Sequence, residues 1–276
     1  MPNRTDHYAV FGNPIEHSKS PQIHAQFAAQ VGHSIEYVKQ LIELDCFNIA
    51  AADFFKRGGL GLNITVPFKL DAYNFADSLT ERARCAGAVN TLIKAADNTI
   101  LGDNTDGTGL VADLVSNLAW PLRDKNIMII GAGGAVRGVL LPLLNEAPAS
   151  IVIANRTAEK AEKLAHVFKS YGLVRGCGLQ EIGADSYDII INATSASLGG
   201  ELPAVPSSLF SKQSRAYDMV YSKTLTPFLQ LAKECGVQAI SDGLGMLVGQ
   251  AAESFKQWRH VEVNIEPVLK KLRSEL

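Results

Sequence analysis

Residues 63 to 69 read NITVPFK, a β-branched run closed by a proline and followed by a lysine. Pro67 cannot donate a ladder hydrogen bond, so the strand is expected to end there, with Thr65 and Lys69 at its mouth. In open α/β sheets the carboxyl ends of strands form the ligand crevice, so the hydroxyl and the amine would both lie there. A solvated surface lysine is the plain alternative. LGDNTDGTG supplies carboxylates, with Asp103 and Asp106 in a glycine-flanked turn. The alternative there is a polar turn in which Asp106 caps a helix over 107–118. GNPIEHSKSPQIH offers Ser18 and Ser20, whose hydroxyls share one side if the stretch is extended. Ser20 before Pro21 also suits an N-cap and a first helical residue. Gln250 borders an apolar stripe of Leu247, Ala251, Phe255 and Trp258, which fits an exposed helix residue as well as a ligand contact.

A second chemistry is written in NIMIIGAGGAVRGVLL. An apolar strand runs into Gly131, Ala132, Gly133, Gly134 and Ala135, and then into a helix. Glycines there permit a tight turn and let backbone N–H groups approach a pyrophosphate at the helix N-terminus. The strict Gly-x-Gly-x-x-Gly spacing fails at Val136. The flanking strand and helix nevertheless make a dinucleotide the favoured ligand. The next strand, SIVIANR, separates NAD from NADP. An NAD site usually ends that strand on an acid that holds the ribose 2′-hydroxyl. Asn155, Arg156 and Thr157 stand there instead, and the Arg156 guanidinium suits a 2′-phosphate that an acid would repel. Otherwise Thr157 is a plain N-cap and Arg156 a solvated side chain.

These groups need a frame, and the alternation of apolar runs supplies one. HYAVFG, IEYVKQLI and LGLNITV read as strands, PQIHAQFAAQVG and FNIAAADFFKRGG as helices, and NTLIKAADNTILGDNTD as a hairpin turning near Asp97-Asn98. Such alternation predicts an α/β domain with a largely parallel sheet. From residue 107 a second series follows: helix 107–119, strands 126–132, 150–156, 187–195, 215–221 and 238–243, and helices 135–147, 158–171 and 227–236. That pattern predicts a second, doubly wound sheet, followed by helices 245–260 and 266–276 that return to the first domain.

Composition agrees with this frame. At 276 residues two domains are expected, and an apolar fraction of 47% supports a sizeable core. Lys+Arg at 26 and Asp+Glu at 28 nearly cancel, which disfavours nucleic acid or an anionic membrane as the main partner. Cys46, Cys85, Cys177 and Cys235 are far apart, with no Cys-x-x-Cys spacing, so buried reduced thiols in a cytoplasmic protein are expected rather than zinc or disulfides. The N-terminal stretch lacks the apolar core of a signal peptide. The most apolar window is interrupted by Arg137, Pro142 and glycines, and reads as a strand, a turn and a helix rather than a membrane span.

Taken together, NPIEHSKSPQIH, NITVPFK, GAVNTL, GDNTDG, GAGGA, NRT, INATS, YDMVY and DGLGMLVGQ, in this order, resemble the shikimate dehydrogenase family over nearly the whole chain. The resemblance implies an NADP(H)-linked enzyme that interconverts 3-dehydroshikimate and shikimate. It implies a substrate domain of residues 1–106 completed by 245–276, a Rossmann-type cofactor domain of residues 107–244, and a cleft between them. By the matching motifs, Ser18, Ser20, Thr65, Lys69, Asn90, Asp106, Tyr221 and Gln250 would surround the substrate, with Lys69 and Asp106 the catalytic pair. Gly131, Ala132, Gly133, Gly134, Ala135, Asn155, Arg156, Thr157, Ala158, Glu159, Lys160, Met219, Gly243 and Glu81 would meet the cofactor, and no metal is implied. A relative acting on quinate shares most of these motifs. A non-catalytic Rossmann-type sensor would have no use for Lys69 and Asp106 together. Whether the chain works as a monomer or a homodimer is left open.

Overall fold

The computed structural model describes residues 5–183, 186–194 and 196–276, and of residues 197 and 198 the backbone alone. Residues 1–4 of the N-terminal stretch and Ser195 of INATS lie outside the described residues. The chain divides into two compact units, Met1–Gly109 with Val248–Lys271, and Leu110–Leu247 with Leu272–Leu276.

The first unit carries β1 (Asp6–Gly12), α1 (Ser20–Val31), β2 (Ile35–Leu41), α2 (Phe47–Lys56), β3 (Gly59–Ile64), α3 (Lys69–Phe75), β4 (Ser78–Leu79), α4 (Glu81–Ala86), β5 (Thr91–Lys94) and β6 (Ile100–Asp103), and leads into α5 (Asp106–Ala112). Its sheet runs β2-β1-β3-β5-β6-β4. β1 pairs in parallel with β2 and β3, and β4 with β6, whereas β3–β5 and β5–β6 are antiparallel. The largely parallel sheet expected from the sequence is therefore a mixed one. The cause is the hairpin: the short link from β5 to β6, closed by Ala95 N–H to Thr99 O at 2.8 Å, can only join antiparallel neighbours.

Local signals explain most boundaries. Helix α1 begins with Pro21 in its first turn and ends at Gly32, which adopts φ 67° and returns its N–H to Ala28 O. Thr80 caps α4, accepting the Ala83 N–H at 3.2 Å. Four sequence expectations need correcting. Strand β3 stops at Ile64, because Thr65 already turns the chain (Phe68 N–H to Thr65 O, 3.1 Å) and Lys69 opens α3. Ser18 and Ser20 do not lie on an extended stretch: Ser18 N–H returns to Ile15 O at 3.1 Å, and Ser20 is the first residue of α1 without capping it. The helix expected over 107–119 is α5 followed by a π-helical turn over Asp113–Asn117, where Asp113 accepts from Tyr217 and Asn117. Of the four cysteines only Cys177 is buried.

The second unit carries β7 (Asn126–Ile130), α6 (Gly134–Asn145), β8 (Ser150–Asn155), α7 (Ala158–Phe168), β9 (Val174–Gly178), β10 (Ile189–Asn192), β11 (Arg215–Asp218), α8 (Pro227–Glu234) and β12 (Ala239–Asp242). Its sheet is parallel throughout, in the order β12-β11-β10-β7-β8-β9. Ile127 to Ile130 and Ile189 to Ile191 are buried, as befits strands covered on both faces. Strand order reverses between β7 and β10, the kind of point at which doubly wound sheets bind ligands at the carboxyl ends of their strands. Two further helices, α9 (Leu244–Arg259) and α10 (Glu266–Ser274), complete the chain.

Within the first unit α9 meets α1 through aromatic packing: Phe255 and Trp258 contact His24, and Trp258 stacks on Tyr8 at 4.7 Å. His24 is fully buried and its Nε2 lies 3.1 Å from Asn63 Oδ1. That oxygen also accepts from Tyr37, while Nδ1 of His24 has no partner among the described residues, so the ring is neutral with its proton on Nε2. Burial lowers its pKa to about 3, against 6.5 unperturbed. Between those values the unfolded chain binds a proton that the folded chain refuses. Stability is therefore lost as pH falls below 6.5, up to about tenfold in the folding equilibrium per pH unit. His24→Asn should flatten this slope in urea unfolding between pH 7 and pH 4 by about one proton. An unchanged slope would mean that His24 is protonated in the folded protein.

Candidate active site

Lys69 is placed by the residue before it. Phe68 is buried and stacks on Phe47 with ring centroids 5.6 Å apart, and this pins the first turn of α3. The Lys69 carbonyl accepts from Val89 N–H at 2.9 Å, tying α3 to the segment that carries Asn90. Lys69 Nζ donates to Asp106 Oδ2 at 2.5 Å, and Asn90 Nδ2 donates to Asp106 Oδ1 at 2.8 Å. Both carboxylate oxygens are thus engaged. With the Lys69 side chain 32% exposed and that of Asp106 17%, the pair faces outward enough to meet a ligand.

Asp106 is the first residue of α5 and does not cap it. Its backbone N–H goes to the Asn104 carboxamide oxygen at 3.2 Å, while its carboxylate accepts from Lys69 and Asn90. Asp103 turns the other way. It is fully buried, and Arg82 Nε and Thr80 Oγ1 donate to it at 2.7 and 2.6 Å. The two aspartates of the glycine-flanked turn therefore have different work.

Behind the pair lies a polar network of the first unit, of which the sequence pointed only to Asn90. Asn90 Oδ1 accepts from Thr105 N–H at 2.9 Å and from Thr91 Oγ1 at 2.8 Å. Ser254 Oγ lies 2.8 Å from Thr91 Oγ1 and 3.2 Å from Thr105 Oγ1, and Asn63 Nδ2 donates to Ser254 at 3.0 Å. Asn63, Asn90, Thr91, Thr105 and Ser254 are all buried. A buried network whose members are mutually satisfied fixes side-chain direction in a way that single contacts cannot. A signal was present: Asn63 is polar inside an otherwise apolar strand, and Ser254 interrupts the apolar stripe of α9.

Of the other candidates in this unit, Gln250 and, through Tyr37, Ser20 join this network. Thr105 Oγ1 is 3.5 Å from Gln250 Oε1. Thr65 follows β3, its N–H bonded to Phe11 O at 2.9 Å, and Asn13 N–H reaches Val66 O at 3.0 Å. Ser18 Oγ accepts the Ser20 N–H at 3.3 Å, and the Ser20 hydroxyl bonds the Tyr37 hydroxyl. Because Tyr37 donates to Asn63, Ser20 must be the donor in that last contact. Burial, partly offset by Ser20, pushes the Tyr37 phenol well up. Glu81 is the exposed first residue of α4.

Tyr221 stands in the second unit, beyond β11, where burial and then the Asp242 charge raise its phenol. The dinucleotide candidates share that unit. Gly131 adopts φ 112°, a conformation open to glycine, as the chain leaves β7. Gly133 and Gly134 are exposed, and a Cβ on either would meet nothing, so the start of α6 presents bare backbone. Thr157 precedes α7 but its side chain makes no capping bond, while Asn155 Nδ2 donates to Thr157 O at 2.9 Å. Arg156 and Lys160 are exposed, and neither side chain has a partner among the described residues. Glu159 is spent on Lys163, with Ala158 between these groups at the start of α7. Gly243 is buried against Met219, whose carbonyl oxygen leaves no room for a Cβ. Open backbone at one helix start and two unpaired cations after the neighbouring strand fit a dinucleotide that carries an extra phosphate.

Three family models match the chain: the shikimate dehydrogenase substrate binding domain over residues 10–92, shikimate / quinate 5-dehydrogenase over 113–199, and the shikimate 5′-dehydrogenase C-terminal domain over 243–273. Shikimate dehydrogenase (NADP(+)) of Saccharophagus degradans is 53% identical, over 97% of this chain and 99% of its own. Among solved structures, an Ael1 enzyme from Pseudomonas putida superposes with TM-score 0.93 at 44% identity, covering 97% of this chain and 98% of that one. Shikimate 5-dehydrogenase from Thermus thermophilus, in complex with NADP(H) and shikimate, gives 0.87 at 29%, covering 99% and 100%. With this full-length likeness added to the paired Lys69 and Asp106, the chain belongs to the shikimate dehydrogenase family.

Proposed function

We propose that this chain catalyses the NADP-linked, reversible reduction of 3-dehydroshikimate to shikimate. The carrying observation is the Lys69–Asp106 pair at 2.5 Å, with Asn90 on the second carboxylate oxygen, in a chain 53% identical to a protein of that name. When bound, NADPH supplies the hydride that reduces the ketone carbon. Lys69 has three N–H donors, one of which goes to Asp106, leaving two for the substrate oxygen. As negative charge grows on that oxygen the ammonium stabilises it and gives up a proton; in oxidation the amine takes the hydroxyl proton back. Asp106 orients Nζ, and Asn90 orients Asp106.

In the same reading Ser18, Ser20, Thr65, Asn90, Tyr221 and Gln250 hold the substrate, as hydroxyl and amide groups that bring no competing charge. Residues 131–135 and 155–160, with Met219, Gly243 and Glu81, hold the cofactor. Residues 1–106 with 245–276 form the substrate domain and 107–244 the cofactor domain. The enzyme works in the cytoplasm on small molecules, as a monomer or a homodimer.

Oxidation of shikimate and of quinate, each with NADP+ and with NAD+, tests substrate and cofactor together. Shikimate with NADP+ should give the highest kcat/KM. A higher value for quinate would move the chain to the other substrate in the family model's description.

Cofactor choice has its own test. Arg156→Ala should raise KM for NADPH by about 10- to 150-fold, the worth of one hydrogen bond to a charged group, and leave NADH nearly unchanged. Adding Asn155→Asp should go further, since a carboxylate there repels the 2′-phosphate and accepts from a ribose hydroxyl. Equal weakening of both cofactors by Arg156→Ala would assign the residue to loop support.

A further inference from the structure

We propose that Arg82 is a positioning residue for Asp106, a role that rests on the activity proposed above. Its guanidinium grips both flanks of the segment that carries the carboxylate. Nε and Nη2 bond the two oxygens of Asp103, three residues before Asp106, with the Nε contact at 2.7 Å. Nη1 donates to Thr108 Oγ1 at 2.7 Å, two residues after it, in the first turn of α5. Nη2 also donates to Glu253 Oε1 at 2.8 Å, on the same helix as Gln250. All of these groups belong to the first unit.

A planar fork of five donors sets the separation of its acceptors in a way a flexible ammonium cannot. Burial works against the Arg82 charge, but Asp103 and then Glu253 overcome it and hold the side chain ionised. Asp103 is further fixed by Thr80 Oγ1 at 2.6 Å and by Asn104 N–H at 2.8 Å, and Asn104 in turn takes the Asp106 N–H. The chain of contacts therefore runs from Arg82 through Asp103 and Asn104 on one side, and through Thr108 on the other, to the backbone of Asp106. A buried ion network of this kind is weak as a source of stability and strong as a source of geometry. Arg82 touches neither Lys69 nor the Asp106 carboxylate among the described contacts, so it acts through position alone.

Removing Arg82 would strand Asp103 as a buried charge and could unfold the chain, so the test uses Thr108→Val, which cuts one tie and keeps the Asp103 pair. With 3-dehydroshikimate and NADPH, Thr108→Val should lower kcat by roughly tenfold with little change in KM, since a small misplacement of a catalytic group is costly. Thr108→Ser, which keeps the hydroxyl, should recover most of the rate. In an Asp106→Asn background the same valine should have almost no further effect. Independently of turnover, the Asn90 side-chain amide resonances, which report on the Asp106 carboxylate, should shift in Thr108→Val and return in Thr108→Ser. Equal losses in both backgrounds, or an unmoved Asn90 signal, would overturn the positioning role. If the wild-type protein fails to turn over, the activity reading falls by itself, and the Asn90 signal still decides whether Arg82 sets the place of Asp106.

Discussion

Lys69→Ala is expected to lower kcat for 3-dehydroshikimate reduction by about 10²–10⁴, the range for loss of a general acid–base group. The fold should survive. The side chain is 32% exposed and opens a helix whose packing depends on its buried neighbour Phe68. Asp106, left without its ion pair, keeps the Asn90 hydrogen bond and some solvent, so no fully buried charge is stranded. Shikimate affinity, measured by calorimetry, should change far less than kcat, because the hydroxyl and amide groups assigned to the substrate are untouched. Activity within a few-fold of wild type would remove Lys69 from the proton transfer.

The second large effect is expected from Asp106→Asn. The change keeps the size of the side chain and can preserve one contact with Asn90. It removes the charge that holds Nζ in place. A loss on the order of 10²-fold in kcat is expected, as for a catalytic group displaced by about an ångström. The thermal midpoint should move little, because the Asp106 carboxylate accepts from Lys69 and Asn90 rather than from a backbone N–H of α5, and the ion pair is partly solvated. A large fall in midpoint with activity retained would show that Asp106 serves the fold of α5 rather than the chemistry.

The difference between Asp103 and Asp106 shows how far the sequence can be read. Both stand in one polar, glycine-flanked turn, and nothing in their spacing says which faces a ligand. The answer depends on Arg82, which reaches back from α4 to claim Asp103, and α4 is a short helix with too weak a periodicity to be read. Lys69 was legible for a partly mistaken reason. Pro67 does mark the end of extended chain near the lysine, but the strand has stopped at Ile64 and a helical turn presents the amine. The parallel sheet of the second unit was legible because 127–130 and 189–191 are unbroken apolar runs alternating with helical patterns, as in strands covered on both faces. Strand β9, VRGCG, was not: glycines and an arginine hide it, and it exists because β8 offers it an edge. The network of Asn63, Thr91, Thr105 and Ser254 joins residues up to 191 positions apart, a relation that only the fold creates.

The most direct test of the proposed activity mixes wild-type protein with NADPH and 3-dehydroshikimate, following NADPH absorbance and shikimate formation together. NADPH should disappear in step with shikimate appearing, one molecule for one, and NADH in its place should support a far slower reaction. No loss of NADPH, or a loss without shikimate, would contradict an NADP-linked reduction at the Lys69–Asp106 pair.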